Sequence, residues 1–223
     1  MPYFKSLNLL YLHVPKTGGM SIEEYFYKKC NLEKNEKNIY GYYYNKEKRL
    51  RVENERTLQH FTYNEIMNKK EFFDIEMGDL NKDMKILVSV RNPFERIVSE
   101  ICWKKKLKVN ENITNQEFYN VLYKYLYIDV DDIMDNHKIP QIKFILNPDN
   151  LTIKENIIIV KTETLEKDMH ALGYDDFNIH LNKNHLCERK IINYRELLNE
   201  KSIDLIINYY AEDFTYFGYS TTY

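Results

Sequence analysis

Apolar residues along the chain fall either into short unbroken runs or into stripes spaced three and four apart, and the two kinds alternate. Leu7 to Val14 is a short apolar run suited to a buried strand, and Pro15-Lys16-Thr17-Gly18-Gly19 breaks it. A helical pattern follows, with Ile22, Tyr25, Phe26 and Cys30 on one face. Lys85 to Val90 is the clearest strand in the sequence, and Arg91-Asn92-Pro93 leads from it into a predicted helix over Pro93 to Lys106, proline suiting the first helical position. The apolar stripe of that helix is Phe94, Ile97, Val98 and Ile101, so Asn92, Arg96, Ser99 and Trp103 share its opposite face. Between the two units, Thr62 followed by Glu65 marks a capping box before a short helix. Further helices are predicted at Asn115 to Tyr127, Glu163 to Leu172 (ended by Gly173) and Ser202 to Ala211, with a strand at Ile157 to Val160.

Strands alternating with helices predict an α/β fold with a parallel sheet, whose ligands sit at the carboxyl ends of the strands. There is no internal repeat or low-complexity linker, so 1–223 is read as a single domain. Residues 31 to 56 are rich in Lys, Glu, Asn and Tyr without a clear period and read as a solvated excursion.

Composition removes several classes of function. A hydrophobic fraction of 43% with 30% charged residues belongs to globular chains rather than disordered or fibrous ones. The longest apolar runs, such as Ile157 to Val160, are far short of the ~20 residues that cross a bilayer, so no membrane span is expected. The first residues do not read as a secretory signal, and a cytoplasmic or otherwise soluble protein is expected. The formal net charge of −2 gives no global field for nucleic acid, so an anion site has to be built locally. Three widely spaced cysteines, Cys30, Cys102 and Cys187, form no CxxC pair. His137, His170, His180 and His185 show no HxxxH or HExxH spacing, and no metal is expected. The 20 tyrosines accompany an excess of Lys, Asn and Ile, all with A/T-rich codons, and are read as the genome bias of a microbe, protist or large virus.

Two segments carry chemistry. His13-Val14-Pro15-Lys16-Thr17-Gly18-Gly19-Met20-Ser21 joins a strand to a helix, where backbone N–H groups and the positive end of the helix dipole converge. Its glycines let the backbone approach an anion, Lys16 adds a mobile charge, and Thr17 and Ser21 offer hydroxyls. The lysine precedes the glycines, the reverse of a Walker loop. In Val90-Arg91-Asn92-Pro93-Phe94-Glu95-Arg96-Ile97-Val98-Ser99, again at a strand end, Arg91 offers a fork for a second phosphate and Ser99 a hydroxyl two turns on. Two such cradles imply a ligand with phosphates at both ends.

These segments resemble the 5′-phosphosulfate loop and the 3′-phosphate motif of sulfotransferases that use 3′-phosphoadenosine-5′-phosphosulfate (PAPS), in particular the carbohydrate branch that includes heparan sulfate 2-O-sulfotransferase. The resemblance implies a P-loop-NTPase-like central parallel sheet flanked by helices. It implies a 5′ cradle of Lys16, Thr17, Gly18, Gly19, Met20 and Ser21, and a 3′-phosphate held by Arg91 and Ser99. Gln59-His60-Phe61-Thr62-Tyr63 is similar to the segment with the catalytic histidine, and Ile139-Pro140-Gln141 to a Pro-Gln signature. The segment from His180 to Tyr219 is similar to the C-terminal part, where a closing loop brings Lys183 and Lys190 toward the nucleotide. The stretches 31–56 and 104–135 fall outside the resemblance and are assigned to acceptor selection.

Met20 departs from the pattern, standing where a threonine hydroxyl usually contacts the 5′-phosphate, a loss of about 1 kcal/mol in binding. The expected reaction is in-line sulfuryl transfer to a hydroxyl acceptor, a glycan or small sugar, with Lys16 stabilising the leaving phosphate and His60 as general base. His60 also admits a plain reading as a residue capping the helix at Thr62, His13 reads as packed core, and Glu23, Glu24 and Glu95 read as solvated. A kinase-like phosphotransferase and a silent nucleotide-binding module are the alternatives.

Overall fold

The computed structural model describes residues 3–33, 44–45, 50–51, 58–69, 84–104, 113–129, 135–149, 151–179 and 194–222. Strand β1 (Tyr3–Phe4) turns back into β2 (Leu9–Leu12), and α1 (Gly19–Lys29) follows the loop at 13–18. A two-residue pair, β3 (Tyr44–Asn45) and β4 (Leu50–Arg51), precedes α2 (Tyr63–Asn68). Then come β5 (Lys85–Val90), α3 (Pro93–Trp103), α4 (Asn115–Tyr123), β6 (Ile157–Lys161) and α5 (Leu165–Ala171), and the chain closes with α6 (Tyr194–Leu197), α7 (Glu200–Tyr209) and α8 (Ala211–Phe217).

The main sheet has four strands in the order β1-β2-β5-β6. β2, β5 and β6 run parallel, with Leu10 opposite Ile86 and Val88 opposite Ile159, and β1 adds an antiparallel edge. Parallel strands are covered on both faces, so β2 and β5 carry apolar residues on each side rather than alternating with polar ones. Leu10, Leu12, Ile86 and Val88 pack on one side with Ile66, Phe144 and Phe217. Leu9, Tyr11 and Leu87 pack on the other with Ile22 and Phe26 of α1 and Met169 of α5. A third cluster joins α3, α4 and α7 through Ile97, Ile101, Phe118, Leu122 and Ile206. Each large side chain so buried contributes about 1.5–3 kcal/mol. The architecture is α/β with a mostly parallel sheet flanked by helices, as the strand and helix alternation requires.

Local chemistry sets the ends of the elements that frame the site. The Asn92 side chain accepts from the Phe94 amide at 2.9 Å with Pro93 at the first position, so α3 starts directly beyond β5. Thr62 and Glu65 form the reciprocal capping box of α2. α3 ends at Trp103 rather than Lys106, and α4 passes at Lys124 into a π-helical turn over Lys124–Ile128. Of the stretches assigned to acceptor selection, 34–43, 46–49, 52–56, 105–112 and 130–134 lie outside the described residues.

Candidate functional site

Past β2 the chain makes a tight loop in which Lys16 adopts φ 68° and Gly18, the residue capping α1, φ 79°. Gly18 is thereby free of the strain a side chain would carry there. The first-turn amides of a helix have no intrahelical acceptor, and among the described residues those of Gly18, Gly19 and Met20 have none at all. Unpaired amides at a helix N-terminus are suited to hold an anion, with the helix dipole reinforcing them. The Ser21 hydroxyl, half-buried, likewise has no partner among the described residues.

Thr17 does not offer its hydroxyl outward, a correction to the reading of it as an anion donor through that group. It donates to the Val14 carbonyl at 2.7 Å and lies 2.6 Å from the Ser89 hydroxyl, which is itself 2.6 Å from the Tyr11 hydroxyl. The carbonyl can only accept, so the protons run in one direction: Tyr11 to Ser89, Ser89 to Thr17, Thr17 to Val14. This chain ties the loop to both central strands, and burial pushes the Tyr11 phenol far above its ordinary range, keeping it a donor. Thr162 Oγ1 reaches the carbonyls of Thr17 and Val90 at 2.8 and 3.0 Å, fixing the loop to the start of the segment after β6.

Arg91 leaves the end of β5. Its Nε and Nη2 donate to Glu95 at 3.2 and 3.0 Å, and its Nη1 lies 3.5 Å from the Lys16 carbonyl. The two predicted cradles therefore adjoin. Gln141, fully buried, locks the Arg91 peptide by accepting from its N–H at 2.9 Å and donating to its carbonyl at 2.8 Å. Ser99 lies two turns along α3 with its hydroxyl unpartnered among the described residues. Lys183 and Lys190 lie outside the described residues.

His60 reaches back to the residue that opens the loop: its Nδ1 is 3.0 Å from the His13 carbonyl. A carbonyl accepts only, so His60 carries its proton on Nδ1 and presents a lone pair on Nε2. Burial, helped by the neighbouring His13, His137 and Arg96, holds the His60 pKa well below the ordinary imidazole value, so the ring is neutral at physiological pH. The Asn136 side chain fixes its backbone, donating to the His60 carbonyl and to Glu65, each at 2.8 Å.

His13 is buried but hydrogen-bonded rather than simply packed: its Nδ1 meets Glu23 Oε1 at 2.8 Å, and Gln59 Nε2 donates to Glu23 Oε2 at 2.8 Å. Glu23 is accordingly buried, correcting its reading as a solvated carboxylate. Met20 lies beside this group, its sulfur 3.8 Å from Gln59 Nε2.

Three residues around the site were missed as a group. Arg96 is not on a solvated face: it is 3% exposed and donates to the carbonyls of Pro15 (3.1 Å), Ile139 (3.1 Å) and His137 (2.9 Å). Glu100, one turn later and also buried, lies 2.8 Å from His137 Nδ1. Trp103, 45% exposed, stacks on the His137 ring at 5.1 Å and 13°, and the Lys16 ammonium lies 5.1 Å from the same indole. The available signal was the spacing of Arg96 and Glu100, four apart beside an apolar stripe.

Among the described residues no group of His, Cys, Asp and Glu is arranged to hold a metal ion, and no helix is long and apolar enough to cross a membrane. The family model of the sulfotransferase family matches residues 3–220. No curated protein and no solved structure matches the chain.

Proposed function

The chain belongs to the sulfotransferase family, and on that premise we propose that it moves the sulfuryl group of PAPS to a hydroxyl of a carbohydrate acceptor, with His60 as general base. The observation that carries this reading is the neutral imidazole of His60, proton on Nδ1 and lone pair on Nε2, hydrogen-bonded to the first residue of an anion-binding loop. The donor set suits a phosphosulfate: unpartnered amides at Gly18, Gly19 and Met20, the Ser21 hydroxyl and the Lys16 ammonium, with the Arg91 guanidinium and the Ser99 hydroxyl for the 3′-phosphate.

The chemistry is an in-line displacement in which positioning and charge stabilisation supply most of the acceleration. The acceptor oxygen forms a bond to sulfur while the bond from sulfur to the bisphosphate breaks, and the electron pair leaves with the bisphosphate. Lys16 and the loop amides stabilise the charge that grows there. The acceptor's proton passes to His60 Nε2. Thr17 contributes through its place in the loop rather than its hydroxyl. The whole chain, 1–223, acts as one P-loop-like domain, with 31–56 and 104–135 on the acceptor side.

Incubation with sulfur-35-labelled PAPS and a panel of monosaccharides, polyols, phenols and water tests this reading. Label transferred to a hydroxyl of the panel, and a drop of about 10²-fold or more in His60→Ala, is expected. Transfer to none of these, water included, contradicts it.

A further inference from the structure

We propose that His137, held by Glu100, is a second general base of this site, beside His60. The inference rests on the sulfotransferase reading above and adds a catalytic residue to it.

The tautomer of His137 follows from its partner. Burial alone raises the Glu100 carboxyl, but the hydrogen bonds from His137 and Tyr125 and the nearby Lys16 charge outweigh it and hold the group below its ordinary value. Its two oxygens are both engaged, Oε1 by the Tyr125 hydroxyl at 3.0 Å and Oε2 by His137 Nδ1 at 2.8 Å. An ionised carboxylate accepts only, so His137 turns its Nδ1–H to Glu100 and leaves Nε2, which has no hydrogen-bond partner among the described residues, as the ring atom available to exchange a proton.

Its position is fixed with respect to the anion loop. The guanidinium of Arg96 grips the His137 carbonyl at 2.9 Å and the Pro15 carbonyl at 3.1 Å, so one side chain sets the distance between imidazole and loop. The His137 ring meets His60 edge-to-face at 4.9 Å and stacks at 5.1 Å on Trp103, over which Lys16 lies. His137 therefore stands beside the first base and within one aromatic ring of the loop's lysine.

The two imidazoles differ in what surrounds them. His60 is flanked by His13 and His137, with Arg96 also near, and its Nδ1 rests on a neutral carbonyl. His137 has an ionised carboxylate behind it, which fixes the tautomer and balances the positive charge once a proton arrives. As the acceptor oxygen bonds to sulfur and the bisphosphate departs with its electron pair, the hydroxyl proton moves to Nε2 of either imidazole, and on His137 the new charge is paired.

The test measures transfer from labelled PAPS to the best acceptor of the panel above, in wild type, Glu100→Gln, His137→Gln, His60→Ala and the His60→Ala/Glu100→Gln double variant. Calorimetric titration with adenosine 3′,5′-bisphosphate checks each protein's donor site. Glu100→Gln keeps the shape and an acceptor for His137 but removes the charge. His60→Ala should retain turnover, and adding Glu100→Gln to it should lower that residual kcat by about tenfold or more, with donor KM and bisphosphate affinity unchanged. Should a variant fail to fold, the residual turnover of His60→Ala/His137→Ala rescued by added imidazole gives the same answer through a different protein. A double variant whose kcat stays within about twofold of the His60→Ala value, or no rescue of a folded His60→Ala/His137→Ala protein, overturns the role of His137 while leaving the sulfotransferase reading intact. A wild type that transfers label to no panel member overturns both.

Discussion

Gly19 opens α1 where a β-carbon would lie 2.2 Å from His13 Nε2, 2.3 Å from His13 Cδ2 and 2.7 Å from the Tyr11 hydroxyl. Intrinsic helix propensity favours alanine over glycine by about 1 kcal/mol, so sequence reasoning alone expects Gly19→Ala to stabilise the protein. The surroundings reverse the sign. His13 is buried and tied to Glu23 at 2.8 Å, and Tyr11 is committed to the hydroxyl chain through Ser89. Forcing them apart costs about 1–3 kcal/mol as overpacking. Loss of the His13 bond leaves the Glu23 carboxylate short of a donor, a further ~1–3 kcal/mol. The net is a destabilisation of about 1–5 kcal/mol, which at about 2–4 °C per kcal/mol for a chain of this size lowers Tm by several degrees or more. Thermal unfolding followed by circular dichroism reads it directly. A Gly19→Ala protein that melts at or above wild type refutes the argument that His13 and Tyr11 are packed immovably against the start of α1.

Three further outcomes follow from the same contacts. Arg96→Lys supplies a point charge that does not span the carbonyls of Pro15, His137 and Ile139, and urea unfolding should show a loss of about 1–3 kcal/mol for each carbonyl left unpaired. His60 has a depressed folded pKa, so the unfolded chain binds a proton that the fold refuses; stability is full above the ordinary value of 6.5 and falls as pH drops through it. The loss approaches about 1.4 kcal/mol per pH unit, and comparing urea midpoints at about pH 8 and about pH 5.5 should show a shallower fall in His60→Gln than in wild type. Met20→Thr restores a hydroxyl at the mouth of the loop and should tighten adenosine 3′,5′-bisphosphate binding by about fivefold, read by calorimetry.

The parts of the fold legible in the sequence were those that local chemistry decides. Lys85–Val90 came out with its predicted ends because the apolar run stops at Arg91, just ahead of the Asn92-Pro93 pair that starts the next helix. The start of α3 and the capping box of α2 were likewise readable from Pro93 and from Thr62 with Glu65. The antiparallel edge Tyr3–Phe4 was not, since two residues show no period, and neither was α8, which begins where α7 had been extended. In the candidate site, the loop, His60 and Arg91 were singled out by motif and by resemblance, and the structure places them near one another, whereas Arg96 was taken for a polar-face residue. A helical wheel assigns Arg96 and Glu100 to the side away from the apolar stripe, but says nothing of the segment from His137 to Ile139 that covers that side. For the same reason His137 looked like an isolated histidine: its partners Trp103 and Glu100 lie 34 and 37 residues away in sequence. Thr17 was misjudged because an inward hydroxyl and an outward one have the same letter, and only the position of Ser89 on the neighbouring strand separates them.

On the reading proposed above, the loop at Lys16–Ser21 and the end of β5 at Arg91 together bind the two phosphates of one nucleotide. Calorimetric titration of the wild-type protein and of Arg91→Ala with adenosine 3′,5′-bisphosphate, and in parallel with ATP, tests it most directly. The account predicts saturable binding of the bisphosphate in preference to ATP, weakened by about tenfold or more in Arg91→Ala. Tighter binding of ATP, or bisphosphate binding that does not depend on Arg91, contradicts it.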